Sequence, residues 1–159
     1  MNSNDFVQYI GSHRIALKCV DERLQYRSSI KTSPDFLSAL REYKTALMQA
    51  IQPFGNQEVI ICPQSYNQQS LWFTNKLFPE SSAYNVVLPM LIESALDINR
   101  SVSAIKQIVA KNEQLRTVFD SLTIDTQSTP CQFILEHYDN PVSIVDASGF
   151  SDTQIETAI

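Results

Sequence analysis

Glycine is scarce in this chain of 159 residues, occurring only at Gly11, Gly55 and Gly149. No glycine-rich loop can therefore cradle a phosphate, which excludes P-loop and dinucleotide-binding readings. His13 and His137 are isolated, and no cysteine pair has metal-ligand spacing, so no metal site is expected. Cys19, Cys62 and Cys131 are odd in number and far apart. They read as reduced, buried thiols of a cytoplasmic protein, not as a disulfide framework. No G-x-S-x-G elbow is present. No apolar run approaches the roughly 18 residues of a membrane span. The N-terminus, MNSNDFVQYIGSH, has neither the basic start nor the apolar stretch of a signal peptide. Neither a membrane nor a nucleic acid is an expected partner.

What is present suits a globular chain, with 43% hydrophobic and 18% charged residues. The net charge of −5 conceals an asymmetry. Residues 1–55 carry seven Lys and Arg against five Asp and Glu, whereas residues 56–159 carry five against twelve. The change falls near "IQPFGNQEV", where Pro53 and Gly55 interrupt the pattern. Two units are expected, residues 1–54 and 55–159.

In the first, residues 3–11 predict a short helix, capped by Ser3 or Asn4, with Phe6 and Ile10 on one face and Gly11 as its stop. "RIALKCV" and "RLQYR" alternate around the polar turn Asp21-Glu22, which predicts a hairpin. One face carries Ile15, Leu17, Cys19, Leu24 and Tyr26; the other is largely basic. A longer helix is predicted over "TSPDFLSALREYKTALMQAI", capped by Ser33, with Pro34 at its first position. Phe36, Leu40, Tyr43, Leu47 and Ile51 form its apolar stripe. This order of helix, two strands and helix, through "IALKCVDERLQYR" and "LREYKTALMQAI", resembles the N-terminal docking domain of megasynthetases of the tubulysin type. "SSIKTSP" stands where that family has a glycine. The resemblance implies a homodimer that receives the C-terminal tail of an upstream subunit along the second strand. The residues themselves support a docking role. A two-stranded sheet leaves open edges, and five basic residues between Arg14 and Lys31 face only Asp21 and Glu22, which favours an acidic tail. Lys18, Arg23, Gln25, Arg27 and Lys31 are the candidate partner-binding residues; the plainer alternative is a solvated charged face.

The second unit opens with a strand at Val59 to Cys62 and a helix from Ser65 to Pro79. "AYNVVLPMLIES" predicts a strand, Asp97 caps a helix reaching Asn112, and "LRTVFDSLTID" and "CQFILEH" predict a hairpin turning between Asp125 and Pro130. "PVSIVDA" predicts a further strand, and Ser151 with Gln154 a capping box. Alternating helices and strands predict an α/β sandwich. Two stretches then resemble the condensation domain of nonribosomal peptide synthetases. Ser65-Tyr66-Asn67-Gln68-Gln69-Ser70-Leu71-Trp72-Phe73 is similar to S-x-A-Q-x-R-L-W, departing from it at Asn67 and Ser70. Lys111-Asn112-Glu113-Gln114-Leu115-Arg116-Thr117-Val118-Phe119 is similar to R-H-E-x-L-R-T-x-F, departing at Lys111 and Asn112. Ser65, Gln68, Trp72, Glu113 and Arg116 are the residues of interest there. Leu71, Trp72, Leu115 and Phe119 are expected in the core, and Arg116 in a specific polar contact.

The resemblance implies a small α-β-β-α docking domain followed by an incomplete α/β sandwich of the chloramphenicol acetyltransferase type. In the full-length parent it implies amide-bond formation between substrates carried on the phosphopantetheine arms of carrier proteins. No cofactor is expected on this chain itself. In the family, the arginine at position 116 pairs with the aspartate of the catalytic H-H-x-x-x-D-G motif. No His-His pair occurs in this sequence. A truncated, non-catalytic piece is therefore expected, with no catalytic residues of its own. Two alternatives stay open: a free-standing docking protein, or a piece of another coenzyme A-dependent acyltransferase.

Overall fold

The computed structural model describes residues 1–138, 142–151 and 153. The first helix, α1 (Ser3–Ser12), is capped by Asn2, whose Oδ1 accepts from the Asp5 amide at 2.8 Å. The expected caps lie inside the helix, and Ser3 is buried there, donating to Gln127 Oε1. Gly11 does not stop α1. It lets the helix approach the strand that holds Cys62: a Cβ at Gly11 would sit 3.2 Å from Cys62 Cα.

The hairpin forms as expected, from β1 (Ala16–Val20) and β2 (Arg23–Arg27). Asp21 and Glu22 both have positive φ (48° and 59°), as a two-residue type I′ turn requires. The long helix predicted next is broken into α2 (Pro34–Glu42) and α3 (Lys44–Ile51). The break lies at Tyr43 (φ −90°, ψ 6°), whose ring packs edge-on against Phe6 and whose hydroxyl donates to the Met1 carbonyl. Tertiary anchoring there outweighs the propensity to continue the helix. Ser33 caps α2 as expected, accepting from the Phe36 amide.

A short 3₁₀ turn, Gln52–Phe54, leads through Gly55 to β3 (Val59–Pro63). Then come α4 (Tyr66–Leu77), α5 (Ile98–Lys111), a 3₁₀ turn at Glu113–Arg116, β4 (Thr117–Ile124) and β5 (Gln127–Leu135). Among the described residues, five strands form a single sheet in the order β2-β1-β3-β5-β4, and every pairing is antiparallel. The fold is therefore mixed α and β on an antiparallel sheet. Leu17 pairs with Val59, so the N-terminal hairpin continues the sheet that β3 begins.

A continuous apolar core follows from this. Phe6, Ile10, Leu17, Phe36, Leu47 and Ile51 pack in one cluster with Val59, Ile61, Leu122 and Phe133. The boundary expected at residues 54 and 55 lies beside this shared core.

The predicted β4–β5 turn is corrected. It is only Asp125-Thr126, Asp125 having φ 55°, and Pro130 lies within β5. The Pro130 carbonyl accepts from the Gln64 amide, just past the end of β3. Its missing N–H faces that same side and leaves the ladder to β4 intact.

Two predicted strands do not form among the described residues. In residues 83–94 the side chains of Val86, Leu88 and Leu91 are largely exposed, and no described strand pairs with them. Extended backbone without a pairing partner leaves its N–H and C=O groups to solvent. Residues 142–147 are likewise irregular, ending where the Ser148 amide donates to Asp146 Oδ1. Gln154 lies outside the described residues. Cys131 is buried; Cys19 and Cys62 are half-buried, less than expected, and all three are free.

Candidate functional site

The seam between α5 and β4 is built by local capping. Asn112 ends α5, its side-chain amide donating to the Ile108 carbonyl at 2.7 Å. A 3₁₀ turn then carries Glu113 and Arg116, delaying the strand, expected from Leu115, until Thr117. Thr117 Oγ1 donates to the Glu113 carbonyl, fastening the turn. Arg116 donates from Nη1 to the Leu135 carbonyl and lies 3.7 Å from Glu113 Oε1. Its side chain is only 14% exposed, and its buried Nε has no partner among the described residues. Leaving a guanidinium N–H unpaired out of water is costly, so this is an unfinished polar site. Glu113 also accepts a hydrogen bond from Arg14, which lies in the turn between α1 and β1.

At the start of α4, Ser65 and Gln68 form a reciprocal capping box. Gln68 reaches on to Gln132 of β5. Gln64, buried just before it, donates to the carbonyls of Asp120 and Cys131 and so ties the helix start to both β4 and β5. Trp72 is half-buried, with its indole N–H unpaired among the described residues and the Lys76 ammonium 5.5 Å from its ring centroid. Leu71, Leu115 and Phe119 do not enter the core as expected; they are 47%, 53% and 40% exposed. Leu71, Trp72 and Phe119, with Gln68 and Asn75, instead line an apolar cavity of about 350 Å³.

The third region is the hairpin. Strand β2 is one of the two edge strands of the sheet, β4 being the other. Beyond its two-residue turn the register alternates, turning the main-chain groups of Arg23, Gln25 and Arg27 inward to β1. Those of Leu24 and Tyr26 face the open edge. Arg23, Gln25 and Arg27 are exposed; Lys18, opposite Gln25, is half-exposed, and Lys31 is exposed in the following loop. Arg27 is not free. Its Nε donates to both Glu58 carboxylate oxygens, at 2.8 and 2.9 Å. That bond and the neighbouring charges of Arg27 and Lys18 hold the Glu58 carboxyl below its ordinary range, and the Arg27 guanidinium is held correspondingly above its own.

Arg14, Arg27, Arg116, Glu58, Glu113 and Glu136 thus share one polar cleft of about 410 Å³ on a single sheet face. Three of these, Arg14, Glu58 and Glu136, escape sequence reasoning, because sheet register and packing bring them there, not their spacing along the chain. Among the described residues, no group of three His, Cys, Asp or Glu could hold a metal, and no helix is long and apolar enough to cross a membrane.

The model of the condensation domain matches residues 59–159, the segment that contains both the α4 capping box and the Glu113–Arg116 turn. This chain belongs to the condensation-domain family. It is 30% identical over 125 residues to CymA of Salinispora arenicola, described as a probable non-canonical nonribosomal peptide synthetase, covering 79% of this chain and 2% of that protein. To gramicidin S synthase 2 of Aneurinibacillus migulanus it is 32% identical over 120 residues, 76% of this chain and 2% of that protein. To the isonitrile lipopeptide synthase of Mycobacterium tuberculosis it is 29% identical over 99 residues, 61% of this chain and 4% of that protein. The chain thus spans 2–4% of the length of these relatives. No solved structure matches it significantly. The condensation segment therefore carries the cavity and the seam, whereas the hairpin lies N-terminal to it.

Proposed function

We propose that this chain is the N-terminal part of a nonribosomal peptide synthetase, in which a tubulysin-type docking domain (residues 1–54) precedes the start of a chloramphenicol acetyltransferase-like condensation domain (residues 55–159). Strand β2 receives the acidic C-terminal tail of an upstream subunit. Paired docking domains of two copies form a homodimer in the cytoplasm. The parent joins acyl or peptidyl and aminoacyl groups presented on the phosphopantetheine arms of carrier proteins. The observation that carries this reading is the position of β2: it is an edge strand of the sheet, and it presents Arg23, Gln25 and Arg27 on one face. An added strand would bond to the main chain of Leu24 and Tyr26 and meet the basic face with its acidic side chains. In the condensation segment, the buried Nε of Arg116, without a partner among the described residues, supports a carboxylate partner supplied by the parent. Without a His-His pair the chain itself has no catalytic base of that family type.

The test is a titration of the isotopically labelled chain with an acidic peptide matching the upstream subunit's C-terminus. Amide shifts should centre on Leu24 and Tyr26, and affinity should fall with salt. Arg23→Glu should weaken binding while leaving the fold intact. Shifts confined to other surfaces, or an affinity indifferent to Arg23→Glu, would reject docking through β2.

A further inference from the structure

The docking face is partly occupied from within the chain. Glu58, the residue just before β3, reaches Arg27 of β2 across the intervening strand. Ala16 makes this possible, since it pairs with Arg27 on one side and with Ile60 on the other, and its methyl group leaves room for the crossing. The contact is a fork: the Arg27 Nε donates to both carboxylate oxygens, and Nη2 donates to Oε2. We propose that Glu58 is an internal competitor for the docking face, holding Arg27 until a carboxylate of the incoming tail displaces it. This inference rests on the docking reading above.

Three observations carry it. The backbone of Glu58 is pinned independently of its carboxylate: its amide donates to Glu136 Oε2 and its carbonyl accepts from the Glu136 amide. The carboxylate can therefore let go without unpairing β3. Second, the Glu58 side chain is 24% exposed whereas Arg27 is 73% exposed, so the arginine is open to a newcomer while the glutamate approaches from the sheet side. Third, the other charges acting on the pair are Lys18 from β1 and Glu136 just past β5, one of each sign, while Arg14, Arg116 and Glu113 line the same cleft. Lys18 cannot replace Arg27 in the fork, because a planar guanidinium and a carboxylate make two parallel bonds that a point charge cannot, and the Glu136 carboxylate is already engaged by the Glu58 amide. Glu58 is anionic at neutral pH, since its carboxyl is held below the ordinary range.

Docking at Arg27 is then an exchange of one carboxylate for another. The net gain there is small, and the exchange favours a tail that offers a carboxylate on the Arg27 face over one that merely adds a strand. Arg23, which pairs with no acid among the described residues, has no such requirement.

The experiment titrates the full chain with an acetylated peptide of alternating Val and Glu, and with the same peptide carrying Gln for Glu. Glu58→Gln should bind the acidic peptide about two- to fivefold more tightly than the unaltered chain, the range set by releasing an exposed ion pair. It should leave the Gln peptide unaffected. In an Arg27→Gln background, Glu58→Gln should change nothing, which separates this contact from a general gain of positive charge. Glu58→Ala serves as a second variant should the first fold poorly, and loss of the shifted Arg27 Nε–H resonance in either variant reports release directly. Binding on β2 that Glu58→Gln leaves unchanged, or tightens equally without Arg27, overturns the competitor while docking stands. No binding on β2 by any variant overturns docking itself, and this inference with it.

Discussion

Leu17 of β1 lies directly opposite Val59 of β3, and both side chains are fully buried. This pair joins the basic hairpin to the first strand of the segment that the condensation-domain family matches. The alternation of both strands puts Leu17 and Val59 on the face covered by Phe6 and Phe36, so the two stretches share one core. Strand β2 and the seam at Glu113 are thereby connected by packed sheet.

Leu17→Ala should cost about 2–5 kcal/mol of stability in urea unfolding, as deletion of a fully buried leucine does when its cavity cannot collapse. Because the core is shared, the loss should also appear as reduced amide protection at Ile61 and Phe133. Protection changed only before residue 55 would contradict this.

Gly11→Ala sets two effects against each other. Alanine gains up to about 1 kcal/mol of helix propensity. Its Cβ, however, would lie 3.2 Å from both Cys62 Cα and Sγ and 3.3 Å from Pro63 Cδ. Two of these atoms belong to the backbone or to a proline ring of β3 and cannot swing away. Overpacking costs about 1–3 kcal/mol, so a net destabilisation is expected, read as a lower urea midpoint.

Burial pushes the Cys131 thiol up to about 12, and burial raises the Cys62 thiol as well. Both stay protonated and unreactive at pH 8, since the thiolate is the nucleophile. A thiol reagent should modify Cys19 first and Cys131 only on unfolding, as peptide mapping would show. The sign for stability follows: the unfolded chain releases the Cys131 proton near its ordinary value of about 9, where the folded chain retains it. This contribution is complete below pH 9 and is lost as pH rises toward 12. The Glu58 carboxyl, held low by Arg27, acts oppositely; its contribution is present above the ordinary carboxylate range and is lost as pH falls through the depressed value.

Incubated with a loaded donor and a loaded acceptor carrier protein, the chain alone should form no amide above background. Mass spectrometry of the acceptor arm checks this. Amide formed at an enzymatic rate would refute the proposed division of labour.

Local chemistry was legible from the sequence. Ser33 and Asp97 cap the helices assigned to them, and Asp21-Glu22 makes the hairpin turn. Each rests on groups within four residues of one another, and such contacts are written directly into the order of side chains. The two condensation-like stretches were readable for the same reason. Only the tertiary structure decided what depends on distant partners. Tyr43 breaks a helix that propensity would continue, because Phe6 and the Met1 carbonyl hold its ring and hydroxyl. Residues 83–94 have a strand's composition and form none, because a strand exists only with a neighbour to bond it. Arg27 faces Glu58, and Arg14 faces Glu113, through sheet register and packing, which depend on how strands meet in space and not on their spacing along the chain.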